Sequence, residues 1–170
     1  MTDRLTIRPE QAADIDRITQ IIEAAFKGHP HGDSKEHLLV SELRSNHALS
    51  ISLVAEVDEN MVGHIAFSEI TIDGVFDSWY GLAPVSVDPE YQNRGVGSRL
   101  IERGLAEVKN LGAKGCVLVG EPAYYKKFGF KQQDKLSYEG VPEEYFLVQS
   151  FGEEIPAGQV KYHPLFNKYG

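Results

Sequence analysis

Apolar residues recur at helical and strand spacings along most of the chain. Over 12–26, Ile15, Ile18, Ile22 and Phe26 fall on one face, the three-to-four-residue repeat of an amphipathic helix. Asp14 is a start signal for it. A second helix is predicted over 35–45, where Leu39 and Leu43 lie one turn apart. Ahead of both, Leu5-Thr6-Ile7-Arg8 reads as a short strand closed by Pro9, since proline cannot donate to a ladder. Residues 51–57 and 61–72 read as two strands of a hairpin around Asp58-Glu59-Asn60, and Asp73-Gly74 turns the chain again. Further strands are predicted over 81–87, 115–119, 145–151 and 159–162. Helices are predicted over 98–111 and, shorter, over 123–128. Residues 28–33 read as a loop holding His29, Pro30 and His31. No repeat, linker or low-complexity tract breaks the chain, so one domain over 1–170 is expected.

Hairpins surround a single long crossover helix in this order. The strands before and after the helix over 98–111 should therefore lie side by side and parallel, by the right-handed β-α-β rule.

The segment entering that helix carries the most specific chemistry. Val85-Ser86-Val87-Asp88-Pro89 is followed by Gln92-Asn93-Arg94-Gly95-Val96-Gly97. Strand, turn, glycine loop and helix start together aim several backbone N–H groups at one anion. Gly95 and Gly97 carry no side chain to block close approach, and a phosphate is the natural ligand. A dinucleotide fingerprint needs a third glycine where this chain has Leu100, and a P-loop needs Gly-Lys-Ser/Thr, which is absent.

The segment resembles the acyl-CoA pyrophosphate loop of the GNAT superfamily of N-acetyltransferases, with Gln92, Gly95 and Gly97 in its fixed positions. A second element, Tyr125-x-x-x-Gly129-Phe130, resembles the family's Tyr-x-x-x-Gly-Phe motif one strand later. Residues 140–146 and the tail Tyr162-His163-Pro164-Leu165-Phe166 resemble the YhbS-like branch of predicted acetyltransferases. The resemblance implies a mixed α/β GNAT fold over 1–170. It would have a central, mostly antiparallel twisted sheet of about six or seven strands, a splayed parallel pair, and helices on both faces. It also implies acetyl-CoA as co-substrate, with the pantetheine arm entering the splay.

Composition narrows the partners. Net charge is −8, against a nucleic-acid binder. From Arg94 to Lys131 there are eight basic and three acidic residues, hence +5, leaving −13 elsewhere. The basic stretch carries both motifs and suits a triply phosphorylated anion, while the acidic remainder would favour a cationic amine. Cys116 sits alone in an apolar run and reads as an inert core residue. No apolar h-region or run of about 18 apolar residues appears, so no membrane contact and a cytoplasmic location are expected. His29, His31 and His37 match no metal pattern, so no metal is expected. In the family the loop between the first two helices often lines the acceptor pocket, which would bring His29, His31 and Asp33 near substrate.

The resemblance implies direct attack of a small-molecule or peptide amine on the thioester in a ternary complex. Pyrophosphate would rest on N–H groups of Gln92, Asn93, Arg94, Gly95, Val96, Gly97 and Ser98. Backbone groups of Val85 and Val87 would hold the pantetheine arm, and the Val87 N–H would polarise the acetyl carbonyl. Tyr125 would protonate the departing thiolate, whereas Tyr124 would pack the short helix onto the sheet. Glu69 is the first candidate for general base, a cleft being able to raise a carboxylate toward neutrality. Its neighbour Ser68 would point to the other face, and in a different register Ser68 would face the substrate and Glu69 would not; His64 is a further candidate for the base. Alternatives are an acyl-CoA-binding sensor without turnover and a toxin acting on aminoacyl-tRNA, the net charge opposing the latter. Pairing with a second copy of the chain is compatible with all of these.

Overall fold

Nine strands form among the described residues of the computed structural model, which cover 4–27, 35–152 and 154–169. They are β1 Leu5–Pro9, β2 Ile51–Val57, β3 Asn60–Glu69, β4 Thr71–Ile72, β5 Trp79–Val87, β6 Gly115–Val119, β7 Leu136–Ser137, β8 Phe146–Ser150 and β9 Gly158–Lys161. The α-helices are α1 Ile15–Phe26, α2 Glu36–Ser45, α3 Val96–Asn110, α4 Pro122–Tyr125 and α5 Leu165–Tyr169. The loop expected over 28–33, with His29, His31 and Asp33, lies outside the described residues.

The main sheet has six strands in the order β1-β2-β3-β5-β6-β8. Every neighbour pair is antiparallel except β5–β6, the parallel pair flanking α3. β1 and β2 are fastened by more than their ladder. Arg8 donates from Nε to Glu56 at 2.9 Å and grips Asp14 with two further N–H groups. The Asp14 carboxylate also accepts the Gln11 N–H at 2.6 Å. Asp14 thus opens α1 by ending the one-turn 3-10 helix Ala12–Asp14 and anchoring it to β1. The Arg8 guanidinium holds its carboxyl below the usual range.

α3 covers one face of the sheet. Its Val96, Leu100, Ile101, Leu105 and Val108 pack with Leu53, Ile65, Phe67 and Leu82. Burying a side chain such as Leu100 or Ile101 contributes about 2 kcal/mol. Gly104 lets the helix settle this close, for a Cβ there would overlap the Phe67 ring. On the opposite face, Ile18, Ile21, Ile22 and Val40 of α1 and α2 pack on Val54 and Met61.

A second, three-stranded sheet, β4-β9-β7, shares that opposite face. The apolar run expected as one strand over 61–72 leaves the main sheet after Glu69, and Thr71–Ile72 pairs with Val160 and Lys161 instead. Ile70, Ile72, Leu136, Val160 and Tyr162 then close over Trp79, Val117, Phe146 and Val148.

Candidate functional site

β5 has a partner on both sides for only part of its length. Trp79, Tyr80 and Gly81 pair with Gly115, Cys116 and Val117 of β6, and the pairing stops there. On its other side β5 stays with β3 as far as Val87. The stretch from Leu82 to Val87 therefore has an open edge. The Asp88 N–H goes to the Val62 carbonyl at 2.8 Å, so alternation turns the peptide groups of Val87, and two residues back Val85, toward the open edge.

The chain then folds back on that edge. Asp88 caps the 3-10 turn Pro89–Tyr91 by accepting the Glu90 N–H at 3.0 Å, and its second oxygen takes Arg17 of α1 at 3.1 Å. Gln92 Nε2 donates to the Val87 carbonyl at 3.1 Å. Asn93 (φ 64°) and Gly95 (φ 83°) are left-handed, conformations that asparagine and glycine tolerate best. α3 begins directly afterwards, with its first helical bond running from the Arg99 N–H to the Gly95 carbonyl. The N–H groups of Val96, Gly97 and Ser98 precede that bond and have no intrahelical acceptor. No acidic side chain occupies the first turn, so the positive end of the helix is uncompensated.

These parts enclose a cavity of about 600 Å³. Val85, Val87, Gln92, Asn93, Gly95, Val96, Gly97 and Ser98 all line it; Arg94, the other loop residue singled out in the sequence, stands outside, its guanidinium over the Tyr91 ring. Ala25 and Phe26 from the end of α1, with Tyr91, Tyr124 and Lys127, complete the wall. The cavity suits an elongated polyanion. A Cβ at Gly95 would meet no protein atom, so the space over that backbone is open.

The two tyrosines of α4 divide differently from the sequence expectation. Tyr124, expected to pack, lines the cavity with its hydroxyl 3.4 Å from Ser98 Oγ and Lys127 Nζ over its ring. Tyr125 is largely buried against Gly120 and edge-on to Phe130. Burial, with a smaller push from Tyr124, raises its phenol to about 12, so it stays a proton donor at any working pH.

Glu69 ends β3 on an exposed position opposite Tyr80 and is not part of the cavity wall. Ser68 is buried opposite Gly81, and its Oγ has no partner. His64 lies wholly inside, its Nε2 2.8 Å from Ser52 Oγ, and Ser52 in turn bonds Glu10. Arg44 clamps Glu10 with two bonds of 2.8 Å. Burial pushes the imidazole down to about 4, so at neutral pH its 4.0 Å approach to Glu10 is not an ion pair. Cys116 is buried, which pushes its thiol far up. Among the described residues no group of three or more His, Cys, Asp or Glu could hold a metal, and no helix is long and apolar enough to cross a membrane.

The family model for the acetyltransferase (GNAT) domain matches residues 48–132, from β2 through the tyrosine motif. The chain belongs to the GNAT acetyltransferase family. An uncharacterised N-acetyltransferase of Escherichia coli K12, YhbS, is 31% identical over 97% of this GNAT chain and 100% of its own. Among solved structures, a GNAT acetyltransferase from Brucella melitensis in complex with acetyl-CoA is 44% identical. It superposes with a TM-score of 0.86 over 96% of this chain and 98% of its own. YhbS from E. coli in complex with CoA superposes with a TM-score of 0.88 at 31% identity, over 100% of this chain and 96% of its own. The six-stranded sheet with its single parallel pair is thus the GNAT sheet of these relatives.

Proposed function

We propose that this protein is an acetyl-CoA-dependent N-acetyltransferase in which an amine attacks the thioester directly within a ternary complex. The carrying observation is continuity. The open edge of β5 beyond Gly81 and the bare N-terminus of α3 share one cavity of about 600 Å³. An extended arm leading to a pyrophosphate, as in the acetyl-CoA and CoA bound in the two relatives, matches that path.

In this reading Val85 and Val87 lend backbone groups to the pantetheine amides as an added strand would. The N–H groups of Gly95 to Ser98 receive the pyrophosphate, with Gln92, Asn93 and Arg94 shaping the loop around them. The Val87 N–H would meet the charge that develops on the acetyl oxygen, where a preorganised donor acts most strongly. Tyr125, protonated throughout, lies beside Gly120 at the end of β6 rather than on the cavity wall, and to it we assign the proton or hydrogen bond to the departing sulfur. Glu69 receives the amine proton by way of solvent at the exposed end of β3. Buried Ser68, whose Oγ is unpartnered, is a second reading for that position, contacting the amine from the opposite face. The acceptor is a small-molecule or peptide amine.

Calorimetric titration with acetyl-CoA, followed by thiol release over a panel of primary amines, tests the proposal. Micromolar binding with amine-dependent release is expected. Binding without release for any amine would return the protein to an acyl-CoA sensor, and absence of binding would overturn both.

A further inference from the structure

The fork where β5 and β6 part is closed by a residue from the far end of the chain. Tyr162 directly follows β9, and its hydroxyl donates to the Val117 carbonyl at 3.2 Å in a buried setting. Val117 and Gly81 are the last paired residues of the parallel ladder. The carbonyl's direction follows from its other neighbour. Val148, its register partner on β8, spends both its N–H and its C=O on Lys131. Val117 therefore turns its own groups away from β8 and toward the fork. The Cys116 thiol, 3.7 Å from the same oxygen, is a weak donor and leaves the tyrosine as the strong one.

The ring is held as firmly as the hydroxyl. It lies over Gly81, where a Cβ would overlap it. Tyr138 stacks on it at 5.4 Å, and Phe166 meets it edge-on at 4.8 Å. Glycine at 81 is thus needed for space, since the position shows no left-handed backbone. Tyr125 packs with the α3 face of the sheet and Tyr162 with the other.

We infer that Tyr162 is a positioning residue for acyl transfer: by tying the Val117 carbonyl and filling the space over Gly81, it fixes the fork and sets how deeply a thioester substrate enters. This rests on the acetyl-CoA reading above. Burial raises the phenol well above the ordinary range, so the hydroxyl remains a donor and the tie does not titrate.

The test needs no knowledge of the acceptor. Acetyl-CoA labelled with 13C at the acetyl carbonyl is titrated into the full chain. Its bound resonance is recorded for wild type, Tyr162→Phe and Tyr138→Phe. Wild type should give one narrow line displaced from that of free acetyl-CoA. Tyr162→Phe should move or broaden that line while changing the affinity for CoA itself less than about threefold, because only the placement of the acyl end is altered. Tyr138→Phe, which perturbs the same ring cluster without touching the fork, should leave the line in place. A wild-type line in Tyr162→Phe overturns the inference, whatever happens to Tm. Should that variant fail to fold, Gly81→Ala displaces the ring with its hydroxyl retained, and a wild-type line there is equally fatal. Failure of wild type to bind acetyl-CoA would instead remove the functional reading, and this inference with it.

Discussion

Gln92 reaches back to the strand it has just left, its side-chain amide donating to the Val87 carbonyl at 3.1 Å. That bond bends the loop so that the strand edge and the start of α3 face one cavity. A single such bond is worth about 1 kcal/mol. Gln92→Ala should therefore weaken acetyl-CoA binding about fivefold in calorimetry. The side chain is exposed, so the variant should melt near the wild-type temperature.

Gly95 has a φ of 83° and open space over its α-carbon. Gly95→Glu would strain the loop and put a carboxylate where the helix start draws an anion. Acetyl-CoA binding should be lost to calorimetry while the circular dichroism spectrum is kept. Affinity within threefold of wild type would, by that same electrostatic argument, place the pyrophosphate elsewhere.

Tyr125→Phe keeps the packing on Gly120 and Phe130 and deletes only the hydroxyl. Acid catalysis of this kind is worth about 10² to 10⁴, so kcat should fall within or just below that range with the acetyl-CoA dissociation constant little changed. An unchanged kcat in steady-state thiol release would mean that the thiolate leaves without this proton.

Glu69 and Ser68 are adjacent but on opposite faces of β3, one exposed and one buried. Glu69→Gln should depress kcat/KM if the carboxylate takes the amine proton. An unchanged kcat/KM in Glu69→Gln, with a clear loss in Ser68→Ala, would shift that position to the serine.

His64 gives the fold an acid sensitivity. Burial lowers the folded imidazole to about 4, Glu10 opposing and Arg44 reinforcing the shift. The unfolded value stays near the ordinary ~6.5, so between the two the unfolded chain binds more protons. Stability is complete above about pH 6.5 and declines toward pH 4, by up to about 3 kcal/mol. Glu10 adds to the decline further down: burial raises its pKa, but the Arg44 and Ser52 bonds together hold it below the ordinary value. Urea midpoints taken across this interval should fall with pH in wild type and fall less in His64→Asn. Parallel curves would assign the loss to other groups.

Much of this was legible in local sequence. Helix α3 and strand β5 follow from periodicity and turn residues. Gly95 was recognisable because room for an anion against the backbone at a helix start is a local demand, met within a few residues of chain. The division of labour between Tyr124 and Tyr125 was not legible. Adjacent residues on a short helix differ by rotation, and only the placement of α4 against Ser98 and Gly120 decides which one faces the cavity. The break of the 61–72 run was equally hidden, since the partners of Thr71 and Ile72 are Lys161 and Val160.

The sequence by itself determined the crossover helix, the strand before it and the glycine loop between them, because spacing, glycine and proline act over a few residues, while the GNAT sheet followed from the family resemblance that those motifs carry. Tertiary structure alone decided where β5 loses its neighbour, that Ser68 is inside while Glu69 is outside, and that Tyr162 closes the fork over Gly81. Those relations join segments far apart in the chain, and they depend on which surfaces are left to bury once the local elements have formed.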